Sequence, residues 1–176
     1  MEKTDLKKQF KSLYLPKSKE FSVVEVPALQ FVSIQGQGAP EGEAYAQAVQ
    51  WLYATLYPMK FIAKKKLGKD FVVPPLEGLW WADDMDDYIS GNRAGWKWQM
   101  MIATPDWVDE ALFEEGLAKA CTKLGTRPES LQFGTYHEGK AVQILHIGPY
   151  SEEAPTIAKM HEDLQYDYGL ELERLL

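Results

Sequence analysis

Two short stretches, Ile34-Gln35-Gly36 and His146-Ile147-Gly148, each close an extended, apolar segment. Each then leads through a short loop into an acidic helix start and an amphipathic helix. A strand–glycine–helix unit of this size cannot bury its apolar face alone, so two copies in one chain must cover each other. The repeat therefore predicts an α+β fold of two pseudo-symmetric strand–helix–strand–strand modules, an antiparallel sheet with helices on one side. The cleft between such halves is a natural ligand site.

Local patterns fill in the rest. Residues 1–20 predict a short helix or arm that packs Phe10, Leu13 and Tyr14 on the body and stops at Pro16. Ser22–Val26 alternates and is β-branched, and Leu29–Gly36 is a second extended stretch. Tyr45, Ala48, Val49, Leu52 and Leu56 recur at helical spacing, which predicts a helix over 41–57 ended by Pro58, with a basic loop over 63–69. Trp96–Ala103 is a strand with Trp98, Met100 and Ile102 on one face and Lys97, Gln99 and Met101 on the other. Thr104-Pro105-Asp106 reads as a helix start, and Gly125 as that helix's end. Leu131–Tyr136 and Ala141–Ile147 read as a hairpin across His137-Glu138-Gly139-Lys140, and Ser151 as the cap of a third long helix.

These elements give module one about 22–103, a connecting helix 105–124 and a second module about 130–176, all in a single domain. The second copy reaches Gly169 with only seven residues to follow, so by symmetry it lacks the last strand or strands. The expected sheet edge is either exposed or filled by another chain; because open edges pair readily, a homodimer through that edge is one of the two outcomes.

The formal net charge of -7 repels phosphate backbones and argues against nucleic-acid binding. The polar N-terminus and the lack of any long apolar run predict neither a signal peptide nor a membrane span, and hence a cytoplasmic protein. One cysteine, Cys121, reads as a small helix residue and not as a nucleophile. His137, His146 and His161 lack metal-ligand spacing. No phosphate-binding glycine loop and no nucleophile elbow occur, and Lys64-Lys65-Lys66 reads as a solvated run. No cofactor and no metal are expected.

What remains is one acid among aromatic residues. Glu77 lies in Pro75-Leu76-Glu77-Gly78-Leu79-Trp80-Trp81, and a carboxylate buried there needs a partner and has a raised pKa. Strict alternation puts Glu77, Leu79 and Trp81 on one face and Leu76, Gly78 and Trp80 on the other, unless Gly78 marks a bulge. Six Trp and nine Tyr supply stacking and cation–π surfaces, although any single ring is better explained by core packing. The expected ligand site is Glu77 with Trp80, Trp98 and Tyr45 at the cleft, and with Met100 and Phe71 in its walls.

Four segments resemble the GyrI-like small-molecule-binding family: Leu13-Tyr14-Leu15-Pro16-Lys17, PLEGLWW at 75–81, MIATPDWV at 101–108 and, most specifically, EGKAVQILHIGPYSEEAPTIAKMHE at 138–162. The family is related to the effector-binding domains of multidrug-responsive transcription regulators such as BmrR and Rob. The resemblance implies two pseudo-symmetric modules around an aromatic pocket with buried acids. It maps Glu77 and Trp80 onto the pocket and Tyr150 onto its wall. Some stand-alone members resemble hydrolases that open the cyclopropane ring of DNA-alkylating antibiotics, in which case Glu77 would be catalytic. Others resemble antagonists of DNA gyrase or drug sequestrators. Members continue past the third helix into a strand with another acidic pocket residue, for which this chain has no equivalent. Without it, binding of a small, largely apolar or aromatic molecule, cations included, ranks above catalysis. No DNA-binding module is seen ahead of the domain, so a transcription-regulator role is not expected.

Overall fold

The computed structural model describes residues 3–83, 92–149, 152–153 and 155–160. Its elements are β1 (Lys3–Thr4), α1 (Leu6–Gln9), α2 (Lys11–Tyr14), β2 (Ser22–Val26), β3 (Leu29–Gln37), α3 (Glu43–Lys66) and β4 (Asp70–Phe71). They continue with β5 (Glu77–Trp81), β6 (Lys97–Thr104), α4 (Glu110–Leu124), β7 (Gln132–Tyr136) and β8 (Gly139–Gln143). Residues 155–160 are helical. The fold is α+β, as the sequence predicts, and all but one of its strand pairs are antiparallel. Ser151, Tyr150 and the stretch from His161 to Leu176 lie outside the described residues.

Four strands form the main sheet in the order β5-β6-β3-β7. α3 and α4 cover one face, where Val32, Ile34, Trp98, Met100 and Ile102 meet Leu52, Leu56, Met59 and Phe113 in the large core. The opposite face carries a smaller core of Phe31, Leu79, Met101 and Ala103, closed by Leu6 and Phe10 of the N-terminal arm. The arm thus packs Phe10 and Leu13-Tyr14 on the body.

The predicted hairpin does not form. β7 pairs with β3, and β8 pairs with β2. Ser22 faces Gln143, Val26 faces Gly139, Leu29 faces Tyr136 and Ser33 faces Gln132, so the two ladders run in one unbroken register. They form a single long antiparallel ribbon, interrupted only where Pro27-Ala28 opposes His137-Glu138. Pro27 has no N–H to give a ladder, and Gly139 takes a left-handed φ of 75°. These local breaks end the pairing without turning either strand back on itself. Among the described residues, β8 has no strand on its other side.

Two helix boundaries also differ from the sequence reading. α3 runs through Pro58 to Lys66 and takes in most of the expected basic loop. An interior proline costs about 3 kcal/mol. Met59 and Ala63 beyond it are fully buried, and that burial holds the helix together past the proline. Lys64, Lys65 and Lys66 then fall in the last turn, where cations oppose the helix dipole. Thr104 is not the cap of α4, because it is still paired to Gln30 in the sheet. Asp109 caps α4 instead, accepting from Leu112 N at 2.9 Å. Gly125 ends it as predicted, with φ 97°.

Gly36, which marks the first repeat, is needed for close approach. It opposes Trp98 across the sheet, and a Cβ built at Gly36 would sit 2.2 Å from the indole. Trp98 is 1% exposed and its Nε1 donates to Gly38 O at 3.2 Å, so the ring has nowhere to go. Gly36→Ala is expected to destabilise the fold by about 1–3 kcal/mol through overpacking. Urea unfolding of the variant against wild type measures this.

Candidate functional site

The ladder of β5 on β6 is regular. Glu77 faces Met101, Gly78 faces Met100, Trp80 faces Trp98 and Trp81 faces Lys97, with no bulge at Gly78. Strict alternation therefore holds, and it sends the expected site residues to opposite faces of the sheet. Trp80 points to the helix side. There Tyr45 stacks on it at 5.8 Å between centroids and meets Trp98 edge-on at 5.6 Å. Met100 and Phe71 belong to the same core, and Phe71 is closed over by Trp107. These rings pack on one another, with each pair adding about 0.5–1.5 kcal/mol beyond burial. They do not join Glu77 in one cage. Tyr150 lies outside the described residues.

Glu77 instead faces a cavity of about 290 Å³ on the other side of the sheet. Phe31 and Met101 border it from the sheet. Val24, Val26, Tyr136, Glu138 and Ala141 border it from the ribbon on both sides of its break. Leu13 and Tyr14 of the arm form another wall, and Glu153, Ile157 and Met160 a further one. The lining residues change parity across the break, from Leu29 and Phe31 in β3 to Val24 and Val26 in β2. A continuous strand would keep odd residues on one face, so the break is what turns both halves of the ribbon toward one space.

The walls are mostly apolar, and three carboxylic acids stand among the polar groups, which also include Gln143 and Thr156. Glu77, Glu138 and Glu153 line the cavity with His146, Tyr14 and Tyr136, and no lysine or arginine joins them among the described lining residues. Tyr14 Oη donates to Glu77 Oε1 at 2.8 Å. Burial pushes the Glu77 carboxyl above its ordinary range, and the Tyr14 bond partly offsets this by favouring the carboxylate. Tyr14 is driven upward in turn, by burial and then by the charge and hydrogen bond of Glu77, so it stays protonated and can only donate there. Burial, with the repulsion of Glu77 second, raises Glu138 to about 7. Glu138 is thus a carboxyl that exchanges a proton near neutrality next to a second acid held by a phenol.

Glu138, Tyr136, Val24 and Val26 were not among the expected site residues. Glu138 opens the most family-like segment, 138–162, but its position beside Gly139 reads only as a turn. Tyr14 was expected to pack on the body, but nothing in the spacing links it to Glu77, 63 residues away.

A model of the GyrI-like small molecule binding domain matches residues 19–174. The chain belongs to the GyrI-like family. Among solved structures, this GyrI-like chain is similar to an uncharacterized conserved protein from Listeria innocua. That match has 37% identity and a TM-score of 0.81, covering 93% of this chain and 81% of that one. It is also similar to a hydrolase from Listeria innocua, at 36% identity and a TM-score of 0.79, covering 93% and 84%. No curated protein matches it. As a GyrI-like domain it binds a small molecule, and the cavity beside Glu77 is the candidate for that role. Among its described residues no helix is long and apolar enough to cross a membrane.

The raised Glu138 carboxyl has a consequence for stability. Between the unfolded value of 4.5 and the folded value of about 7, the folded state holds the proton more tightly. Its contribution is complete below pH 4.5 and is lost as pH rises through 7. Glu138→Gln removes that loss and is expected to melt about 2–4 °C above wild type at pH 8. This corresponds to about 1 kcal/mol after discounting for solvent screening. At pH 4 the two should melt together, which calorimetry at both pH values measures.

Proposed function

We propose that this GyrI-like domain sequesters a small, largely apolar or aromatic molecule in the cavity between ribbon, arm and sheet, and that it favours a cation. The observation that carries the reading is Glu77. It is a half-buried carboxyl in an apolar wall, with a phenol as its hydrogen-bond partner and no lysine or arginine among the described lining residues. A ligand ammonium would supply the missing countercharge in a site where water screens it poorly. The apolar walls would take up the rest of the ligand by burial of about 25 cal/mol per Å².

A matched pair of probes tests this: 1-naphthylmethylamine, a cation up to pH 8, and 1-naphthylmethanol, neutral and of the same shape. Calorimetry is expected to show tighter binding of the amine. Glu77→Gln should weaken the amine by about tenfold or more, roughly 1.4 kcal/mol, and leave the alcohol nearly unchanged. Equal losses for both probes would remove the countercharge role. Amine binding should also strengthen from pH 6 to pH 8 as Glu138 loses its proton near 7, with proton release on binding, while the alcohol stays flat.

A hydrolase is the second reading, favoured by the similarity to a hydrolase from Listeria innocua and by the Glu138–Glu77 arrangement. Glu138, protonated near neutrality, would give a proton to the departing carbon or heteroatom of a strained electrophile. Glu77 would take one from the attacking water. Product release from an electrophilic cyclopropane compound, lost in Glu77→Gln, would favour this reading. Stoichiometric binding without turnover would favour sequestration.

A further inference from the structure

The arm that closes the cavity lies ahead of the family match, which begins at residue 19. It is tied down at both ends. At its start, Lys3 and Thr4 pair in parallel with Asp70 and Phe71, Val72 N donates to Thr4 O at 2.8 Å, and Trp107 Nε1 donates to Thr4 Oγ1 at 3.1 Å. Leu6, 5% exposed, fills the smaller core. At its far end Gln143 Nε2 donates to Ser12 O at 2.7 Å and Leu145 N to Lys17 O at 2.9 Å, so the arm crosses from β4 to the end of β8. Leu13 and Tyr14 are carried over the cavity between these two anchors.

We propose that Tyr14 is a specificity-determining residue of this site: its hydroxyl holds Glu77 as the charged acceptor, which leaves the other carboxylate oxygen for one ligand N–H and makes the cavity selective for a monocation. This deepens the cation preference proposed above and rests on it. A phenol fixed by a strap pinned at two ends is a donor that needs no reorientation when a ligand enters. Its proton is committed at 2.8 Å to Oε1, so a ligand hydroxyl gains little from Tyr14, while an ammonium finds Oε2. The other titratable groups facing the same space are Glu138 and Tyr136 from the ribbon, His146 after β8, and Glu153 ahead of the helical segment 155–160. None of these makes a hydrogen bond to Glu77 among the described residues. The Tyr14 bond favours the charged form of Glu77, while burial and the repulsion of Glu77 favour the protonated form of Glu138.

The test is Tyr14→Phe, which keeps the ring and removes the hydroxyl, read in two ways. In the ligand-free protein, the side-chain carboxyl carbon of Glu77, followed by NMR with labelled glutamate, should titrate with a higher midpoint in Tyr14→Phe than in wild type. In calorimetry at pH 7, the preference for 1-naphthylmethylamine over 1-naphthylmethanol should fall by about tenfold, the scale of one hydrogen bond to a charged group. Alcohol binding should be retained, which also reports an intact cavity. Leu13→Ala loosens the same strap without touching the bond and should leave the Glu77 midpoint in place. An unchanged midpoint in Tyr14→Phe overturns the assignment. So does a shift in Leu13→Ala as large as that in Tyr14→Phe, because the packing of the strap and not the phenol would then set Glu77. If wild type binds neither probe, the cation reading fails, while the NMR midpoint still decides the role of Tyr14.

Discussion

The antiparallel register shared by residues 22–33 and 132–143 is the constraint on which the rest of the molecule depends. It ties the first half of the chain to the second through strand pairs 99 to 121 positions apart in the sequence, a pairing that only the whole fold can hold in place. β3 is one of the two inner strands of the main sheet, between β6 and β7. β2, a few residues earlier in the chain, takes the same ladder out of that sheet. Because the register never slips, the break at Pro27-Ala28 and His137-Glu138 is shared by both strands at one point. A break in only one strand would have left unpaired backbone groups on the other. With both strands interrupted together, the ribbon can change the face it presents, and the cavity occupies the space so created.

The two faces of the main sheet divide the labour. The helix side is dense: Trp98, Met100 and Ile102 interdigitate with α3 and α4, and Gly36 and Gly116 allow the closest approaches. At Gly116 an added Cβ would sit 2.3 Å from Met59, so α4 can lie against α3 only because that position has no side chain. The other side is covered by a thin arm, two short helices and a strand pair. It leaves room around Glu77 because an arm of a dozen residues cannot fill the area that two long helices fill opposite. Asp70 secures the arm's first strand. Lys60 and the Phe71 N–H hold its buried carboxylate below the ordinary range against the cost of burial, and Lys3 reaches it from the arm at 3.7 Å. An uncompensated carboxylate would be costly at that depth, so the cluster fixes β4, α3 and the arm together.

A rigid face and a hollow face on one sheet explain why aromatic content alone misleads about the site. Tyr45, Trp80 and Trp98 look like a ligand cage in the sequence because they are large, numerous and near an acid. Trp80 and Glu77 are three positions apart, however, and in a strand an odd separation means opposite faces. The regular pairing at Gly78 enforces this. The rings belong to the dense face, where they satisfy one another, and the acid belongs to the hollow one.

The sequence by itself determined the α+β class, the edges of β2, the faces of β6, the end of α4 at Gly125 and the isolation of Glu77 in an apolar segment. Each of these follows from local chemistry: alternation, capping, positive-φ glycine and the desolvation cost of a carboxylate. Tertiary structure alone decided that α3 continues through Pro58, that Thr104 stays in the sheet, that β7 and β8 part to different partners, and that Tyr14 and Glu138 meet the space beside Glu77. In every such case a long-range term outweighs a local preference. Burial of Met59 and Ala63 exceeds the cost of a lost helix bond, and the pairing of Thr104 with Gln30 displaces a helix cap. The site itself depends on contacts between residues 14, 77 and 138, whose separations in the chain carry no periodic signal. Their meeting was set by the register of one ribbon and the point at which both its strands break.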